Sequence, residues 1–502
     1  MKIQILDGHN VIGGNKILIT ANDSSSILLD FGKNFSSYSN YFEEFLTPRA
    51  TVGIYDYWKL DLLPHLNGLY RSSLVQLIQN EVEKSDHVDL QALFLTHAHL
   101  DHAGYIPFID ENIPVITSPI TYSILQSIQD VSNNTLTEDY CTASVRELKP
   151  TDNGEIRLEK QRGQDVPRKF CFDEQGTFSS FRFYRVPVDH SILGASAFYI
   201  EVDNVRIAYT GDLRFHGTRG SLSKQFFEFI KQKGVDILIC EGTCVPMAKD
   251  IDSAMNEQQL TENDIKTASL DVVRDYEGRL VIADFGARNV ERLKVFLDVA
   301  KETNRRLAIT FKDAHLLELL KDNIDPATGE KLNYLDDPNI AIIESKREKS
   351  YKWKRSLSEQ YRHSIVTLKD ISKDPGSYIV CYSYFDMPNL LDLDVRDKGA
   401  YIYSTSEAYS EEQLIDTRRL FNWLKQLNLE PFGIAMDADG TITFTRNYHV
   451  SGHSSFKDLV NEIRLVNPSI LFPVHSEHIE TYQQYFLGTS MNVCLHTEIN
   501  VT

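Results

Sequence analysis

Through the first half of the chain, apolar residues come in short runs, each ending abruptly on a polar residue. "SILLD" closes on Asp30, and "ALFLT" (92–96) runs straight into a histidine. "FRFYRVPVDHS" ends on Asp189 and His190, "VRIAYTGDL" on Asp212, and "VDILICEGT" on Glu241. Short apolar runs bounded by Gly, Asn and Asp predict buried strands. Between them, "LSKQFFEFIKQK" over 222–233 has helical periodicity and predicts an amphipathic helix. From about Pro246 the rhythm changes. "GRLVIADFGARNVERLKVFLDVAKETNRRLAITF" reads strand, turn, helix, strand, the alternation of parallel βαβ units. "SYIVCYSY" and "GAYIYST" add strands, and "EEQLIDTRRLFNWLKQLNL" adds an amphipathic helix. After Pro431 short strands return, with the turn "YHVSGHSS" and then "SILFPVHSEHIETYQQYF". The expectation is a layered α/β protein in which residues 246–432 form an inserted α/β domain, bracketed by 1–245 and 433–502 as two parts of one domain.

Size and composition agree with more than one core. The chain has 502 residues, and single cores stop growing at roughly 250–300. With 42% hydrophobic and 25% charged residues it belongs with folded rather than disordered proteins. No apolar run approaches the ~20 residues of a membrane span, and "MKIQILDGHN" has no signal-peptide pattern. The expected location is cytoplasmic, with no membrane partner. The six cysteines are scattered, and only Cys240 and Cys244 lie close, so a zinc ribbon is not expected. The net charge of −19 excludes broad counterion-release binding of nucleic acid. Any such binding must be confined to a groove.

The chemistry concentrates in "LTHAHLDHAGYIP", where His97, His99, Asp101 and His102 follow a strand. Alternate residues of an extended segment point the same way, so His97 and His99 can share one metal while Asp101 and His102 face another. Imidazole and carboxylate together suit Zn²⁺, with Mn²⁺ or Fe as alternatives. One loop cannot complete two sites. Further ligands must come from other strand ends, and His190, Asp212 and His475 are the candidates.

"THAHLDH" resembles the signature of the metallo-β-lactamase fold, a four-layer αββα core, and Asp30, His190 and Asp212 match its other motifs. "RLVIADFGARNVERL", "HVSGH" and "PVHSE" are similar to the β-CASP branch, and "VIGGN" to its ribonuclease J and archaeal cleavage-factor subgroup. The resemblance implies that His97, His99, His190 and Asp212 hold one Zn²⁺. Asp101, His102, Asp212 and His475 would hold the second, with Asp212 bridging. Asp30 would orient the histidine loop by hydrogen bonds. Glu241 and His453 match the motif A acid and motif B histidine. His449, Ser451 and Gly452 surround His453 in a turn suited to a phosphate. Glu241 also reads as a helix cap, and His449 as structural support. Ribonuclease J usually carries a further C-terminal domain, which is not expected in the short stretch after His475.

The implied activity is hydrolysis of RNA phosphodiester bonds, exo- or endonucleolytic, by a hydroxide held between two metals, with Asp101 and Asp212 in the catalytic set. His453, held by Glu241, would protonate the leaving oxygen. The histidine of "PVHSE" goes with RNA-processing members. The partners expected are single-stranded RNA and either a second copy or another protein. For RNA contact, the stretch with Lys346, Arg347, Lys349, Lys352, Lys354 and Arg355 around Tyr351 and Trp353 offers cations beside aromatics; a solvated helix face is the equal alternative. Competing readings are a DNA nuclease, a small-molecule ester or lactam hydrolase, and a metal-binding non-catalytic subunit of a nucleic-acid-processing complex. His216, His478 and the remaining histidines are read as structural or surface residues.

Overall fold

A computed structural model describes the chain except residues 44, 133–134, 152, 345–350, 394–396, 407–410 and 502. Lys346, Arg347 and Lys349 therefore lie outside the described residues. Among those described, no helix is long and apolar enough to cross a membrane.

Two seven-stranded sheets pack face to face. The first runs, edge to edge, Phe170–Cys171, Val115–Ile116, Asp89–Phe94, Ser25–Leu29, Lys16–Thr20, Lys2–Asp7 and Glu498–Asn500. The second runs Gln175–Phe178, Phe181–Pro187, Ser196–Val202, Val205–Tyr209, Ile237–Cys240, Ile470–Pro473 and Asn492–Val493. The first sheet thus takes strands from near both chain ends, and the second closes with two strands from near the C-terminal end. The layer between them is apolar: Ile3, Ile17, Ile27 and Phe94 meet Phe183, Phe198, Ile207, Ile239 and Phe472. Their neighbours along each strand face outward, since side chains alternate across a strand. The outer face of the second sheet is covered by helices Gly220–Lys233 and Phe456–Val466, through Phe226, Phe227, Leu459 and Ile463. Helix Pro119–Val131 covers the first sheet, with Ile120, Ile124 and Leu125 inward. The result is helix, sheet, sheet, helix.

A third sheet of seven parallel strands spans Val281–Asp284 to Leu429–Phe432. Its near-continuous apolar strands, such as "VIAD" and "IAIIE", suit a parallel sheet buried on both faces. Helix Ile251–Asn256 still packs on the sandwich through Ile251 and Met255. Helix Glu262–Asp275 is the first to pack with the third sheet, beside helix Val290–Glu302. The two bodies meet where helix Phe311–Leu320 lies against Pro119–Val131, and one apolar cluster runs through the contact. Trp353 is used here, stacking on His315 and donating its indole N–H to the Asp130 carbonyl. Of the residues expected to stack on RNA, Trp353 is therefore committed to packing. Phe385 stands exposed, whereas Tyr382 is core.

Candidate metal centre and cleft

Six segments deliver polar residues to one edge of the sandwich. Strands Ser25–Leu29 and Asp89–Phe94 are parallel, as are Val205–Tyr209, Ile237–Cys240 and Ile470–Pro473. Phe181–Pro187 shares the direction of Val205–Tyr209, being two antiparallel steps away. Asp30, His97, His190, Asp212, Glu241 and His475 all follow C-terminal ends of these strands, so they share an edge. Asp30 and His475 take left-handed φ values of 55° and 54°. Such conformations are uncommon outside glycine and concentrate where a site over-determines the backbone.

The histidine loop is clamped from below. Gly14 and Asn15, from "VIGGN", donate their N–H groups to the Asp101 carbonyl at 3.0 and 3.1 Å. Gly32 is required by close approach, because a Cβ there would fall inside the backbone of Asp101. Asp30 is buried and accepts from Thr96 N (2.8 Å), His102 Nδ1 (2.7 Å) and the Tyr209 hydroxyl (2.7 Å). In the neutral ring, binding Nδ1 of His102 this way fixes the tautomer with its lone pair on Nε2. Burial opposes charge on the ring, but Asp212 and Asp30 outweigh it and raise its pKa.

Two donor groups result. His97 Nε2 and His190 Nε2 stand 3.1 and 3.0 Å from His99 Nδ1. His190 donates from Nδ1 to the Gly452 carbonyl at 2.5 Å, so its Nε2 also carries a lone pair. Nitrogens about 3.3 Å apart are what a tetrahedral ion with ~2.0 Å bonds requires. The second group is Asp101, His102, Asp212 and His475. Here His102 Nε2 lies 3.0 Å from Asp212 Oδ2, and His475 Nδ1 lies 3.4 Å from Asp212 Oδ1. Asp212 also stands 3.7 and 3.8 Å from His97 and His190, between the two groups. The fit to metal is specific. His102 Nε2, both ring nitrogens of His475 and both oxygens of Asp212 are buried without hydrogen-bond partners. Such orphaned atoms are costly unless a cation satisfies them. Burial, then neighbouring histidines, hold His97 and His190 well below the ordinary value, and burial takes His99 to about 4. These neutral rings can ligate. Burial disfavours charge on Asp212, yet His102, His475 and His453 overcome it and keep the carboxyl ionised.

Beside the metal groups, His453 Nδ1 lies 3.0 Å from both Glu241 Oε2 and Thr243 Oγ1. Burial opposes charge on His453, but Glu241 and Asp212 outweigh it and raise the ring to about 9. Glu241 is itself fixed by Leu213 N at 2.8 Å. The "HVSGH" turn is held by side chains. Arg214 Nη1 and His216 Nε2 both bind the Ser451 carbonyl, and Ser451 Oγ accepts from His453 N. Gly452 is the second glycine demanded by space, since a Cβ would meet Ser191 Oγ at 2.6 Å. Burial lowers the pKa of half-buried His449 to about 4, and its Nδ1 is unpartnered. His449, Ser451, Gly452 and His453 border a cleft of about 460 Å³ between the sandwich and the third sheet, which His99, Arg288, Asn289 and Arg446 also line.

Sequence reasoning missed the frame behind the turn. Arg214 bonds Asp189 and Glu291, Arg219 bonds Asp325, and Arg292 forks onto Glu262 at 2.8 and 3.1 Å while reaching the Tyr448 carbonyl. This buried network ties the sandwich to the inserted sheet. His216, read as a surface or structural residue, contacts the turn directly. Their only signal was position: Arg214 and His216 follow Asp212 within "GDLRFH".

The four-layer sandwich with its histidine loop at the strand ends defines a metallo-β-lactamase fold carrying an inserted parallel α/β unit. In sequence the chain is ribonuclease J-like. It is 22% identical over 414 residues to ribonuclease J of Mycoplasma pneumoniae, covering 81% of this chain and 60% of the relative. To ribonuclease J of Helicobacter pylori strain J99 it is 21% identical over 492 residues, 96% of this chain and 57% of the relative. The chain thus spans about three fifths of the length of these curated relatives. No family model matches it. Its fold recurs in the crystal structure of a protein of unknown function from Enterococcus faecalis V583, with a TM-score of 0.68, 18% identity and coverage of 100% and 99% of the two chains.

Proposed function

We propose that this chain is a metal-dependent ribonuclease of the ribonuclease J-like β-CASP type, hydrolysing phosphodiester bonds of single-stranded RNA with two Zn²⁺, or Mn²⁺, as cofactors. In this reading residues 246–432 form the inserted module over a core made by 1–245 and 433–502. The observation that carries the reading is the convergence of two donor groups on Asp212, next to a histidine–carboxylate pair at the mouth of a cleft. Bound there, the cations would supply Lewis acidity, bringing a water pKa down to about 7 and offsetting phosphate charge.

The chain's own residues do the rest. His97, His99 and His190 would hold one cation and Asp101, His102 and His475 the other, with Asp212 available to both. Asp30 fixes the His102 tautomer, and Gly452 fixes that of His190. His453 has its Nδ1 occupied by Glu241 and Thr243, which leaves Nε2 to give a proton to the departing oxygen. His449, Ser451 and Gly452 shape the turn against which the phosphate sits. RNA rather than DNA follows from the likeness to ribonuclease J.

Metal analysis and cleavage of matched single-stranded RNA and DNA oligomers test this. The wild type should hold about two metal equivalents and cut RNA. Asp212→Ala and His475→Ala should lose both metal and activity. Full metal and full cleavage in both variants would overturn the assignment.

A further inference from the structure

We propose that Arg288, carried by the inserted unit, holds a phosphate of the RNA strand in the cleft that it shares with His99 and the "HVSGH" turn. Arg288 borders the cleft together with His99, Ser451, Gly452 and His453. The metal donors lie on the sandwich, whereas Arg288 follows strand Val281–Asp284 of the third sheet. A strand entering the cleft therefore meets groups from both bodies.

Three observations point to a phosphate. The first is the balance of charge. Arg214 pairs with Asp189 and Glu291, Arg219 with Asp325, Arg292 with Glu262, and Arg446 with Glu257 at 2.7 Å. Among the described residues, Glu257 is the one carboxylate bordering the cleft, and Arg446 has taken it. Arg288 forms no ion pair among the described residues. Burial pulls this half-buried guanidinium below its ordinary value, and only Tyr140 acts the other way. A partly desolvated cation without a counter-charge gains from an anion, and the planar fork of arginine matches phosphate oxygens.

The second observation is the backbone. Arg288 takes a left-handed φ of 76°, uncommon for a residue with a Cβ. It is pinned there on both sides. Asn289 N donates to the Gly286 carbonyl at 3.0 Å, and Val290 N donates to the Arg288 carbonyl at 2.9 Å. Asn289 Oδ1 then caps helix Val290–Glu302 by accepting from Arg292 N at 2.9 Å. That helix carries Glu291 and Arg292 of the buried frame, so the frame sets where Arg288 stands. Unfavourable backbone conformations persist where the surroundings over-determine them, and they cluster at ligand clamps. The third observation is what the cleft lacks. Its described wall has no Tyr, Phe or Trp, while Gln258, Gln259, Ser404 and Thr405 offer neutral hydrogen-bonding groups. Without rings for stacking, the grip on a strand falls to its phosphates and sugars. In a chain of net charge −19 that grip needs a local cation.

The inference rests on the ribonuclease reading above, and its test separates the two. The metal-loaded protein is titrated by anisotropy with a fluorescein-labelled phosphorothioate oligoadenylate. In a matched series one linkage at a time is a methylphosphonate, which removes the charge of that phosphate. Arg288→Gly deletes the guanidinium and suits the left-handed backbone, so its thermal midpoint should not fall. It should bind the parent oligomer about tenfold more weakly and reduce the salt slope by about 0.7. One methylphosphonate that weakens wild-type binding should have no effect in Arg288→Gly. Arg288→Lys should regain the slope but only part of the affinity. An unchanged slope, or a wild-type penalty retained at every linkage, overturns the phosphate contact while the ribonuclease reading stands. If the wild type neither binds the oligomer nor cuts unmodified RNA, both fail.

Discussion

The carboxylates of Asp30 and Glu241 are both buried, and each serves a histidine. Asp30 accepts from Thr96, His102 and Tyr209, so replacing one oxygen by an amide sets a donor against a donor. Asp30→Asn should lower metal affinity about 10–100-fold, as losses of ligand-orienting groups typically do, measurable by competition with a zinc chelator. Glu241→Gln is expected to differ. It leaves both donor groups untouched, so metal content should stay at the wild-type level. Only the support of His453 weakens, and kcat should fall about 10²-fold or more with KM unchanged. Steady-state kinetics on one RNA oligomer alongside metal analysis reads both quantities. Metal loss in Glu241→Gln would contradict the separation of roles.

The elements that matter most to the site are two turns, each closed by a glycine. Gly32 lets the segment after Asp30 run against the backbone of Asp101, and Gly452 lets "HVSGH" run against Ser191. Flexible side chains can yield, but a carbonyl cannot. Gly32→Ala should therefore cost about 3 kcal/mol or more of unfolding free energy in urea, with loss of metal because the loop moves. Gly452→Ala meets only the Ser191 side chain first and should be milder. "SGH" was visible in the sequence as a turn, and Gly32 only as the residue after "DF" at a strand end; what each presses against was not visible. Strand ends were equally visible, because each apolar run stops on its polar residue. That Thr96 lies beyond the strand Asp89–Phe94 is a small difference: its N–H turns to Asp30 instead of continuing a ladder.

Across the molecule, a buried ionic network and a buried acid make stability depend on how the two bodies join. Arg292→Met would strand Glu262 beside Arg214. Removing one partner of a buried pair typically costs about 3–5 kcal/mol, and denaturant unfolding should show a loss of that size. In the inserted sheet, burial raises Asp284 to about 7, with the Tyr401 hydroxyl at 2.5 Å. A carboxyl whose folded pKa exceeds its unfolded value of ~3.9 stabilises fully below that value. The contribution is lost as pH climbs through about 7. Wild-type stability should fall relative to Asp284→Asn between pH 5 and 8, by roughly 1–3 kcal/mol in urea titrations. A constant difference across that range would show that Asp284 is not the titrating group.

Local pattern alone determined that the chain alternates buried strands with amphipathic helices, that its middle is built of parallel units, and that histidines and aspartates cluster after strand ends. These follow from spacing along the backbone, because side-chain direction repeats with the period of the element. Only the fold decided which strand ends share an edge, that Asp212 stands between two donor groups, and that Arg214, Glu262, Glu291 and Arg292 form one buried frame. Those partners lie tens of residues apart, Arg214 and Glu291 by 77, and an isolated arginine or glutamate reads as surface. Their burial is affordable only once every charge has met its counterpart, and that meeting exists in three dimensions alone.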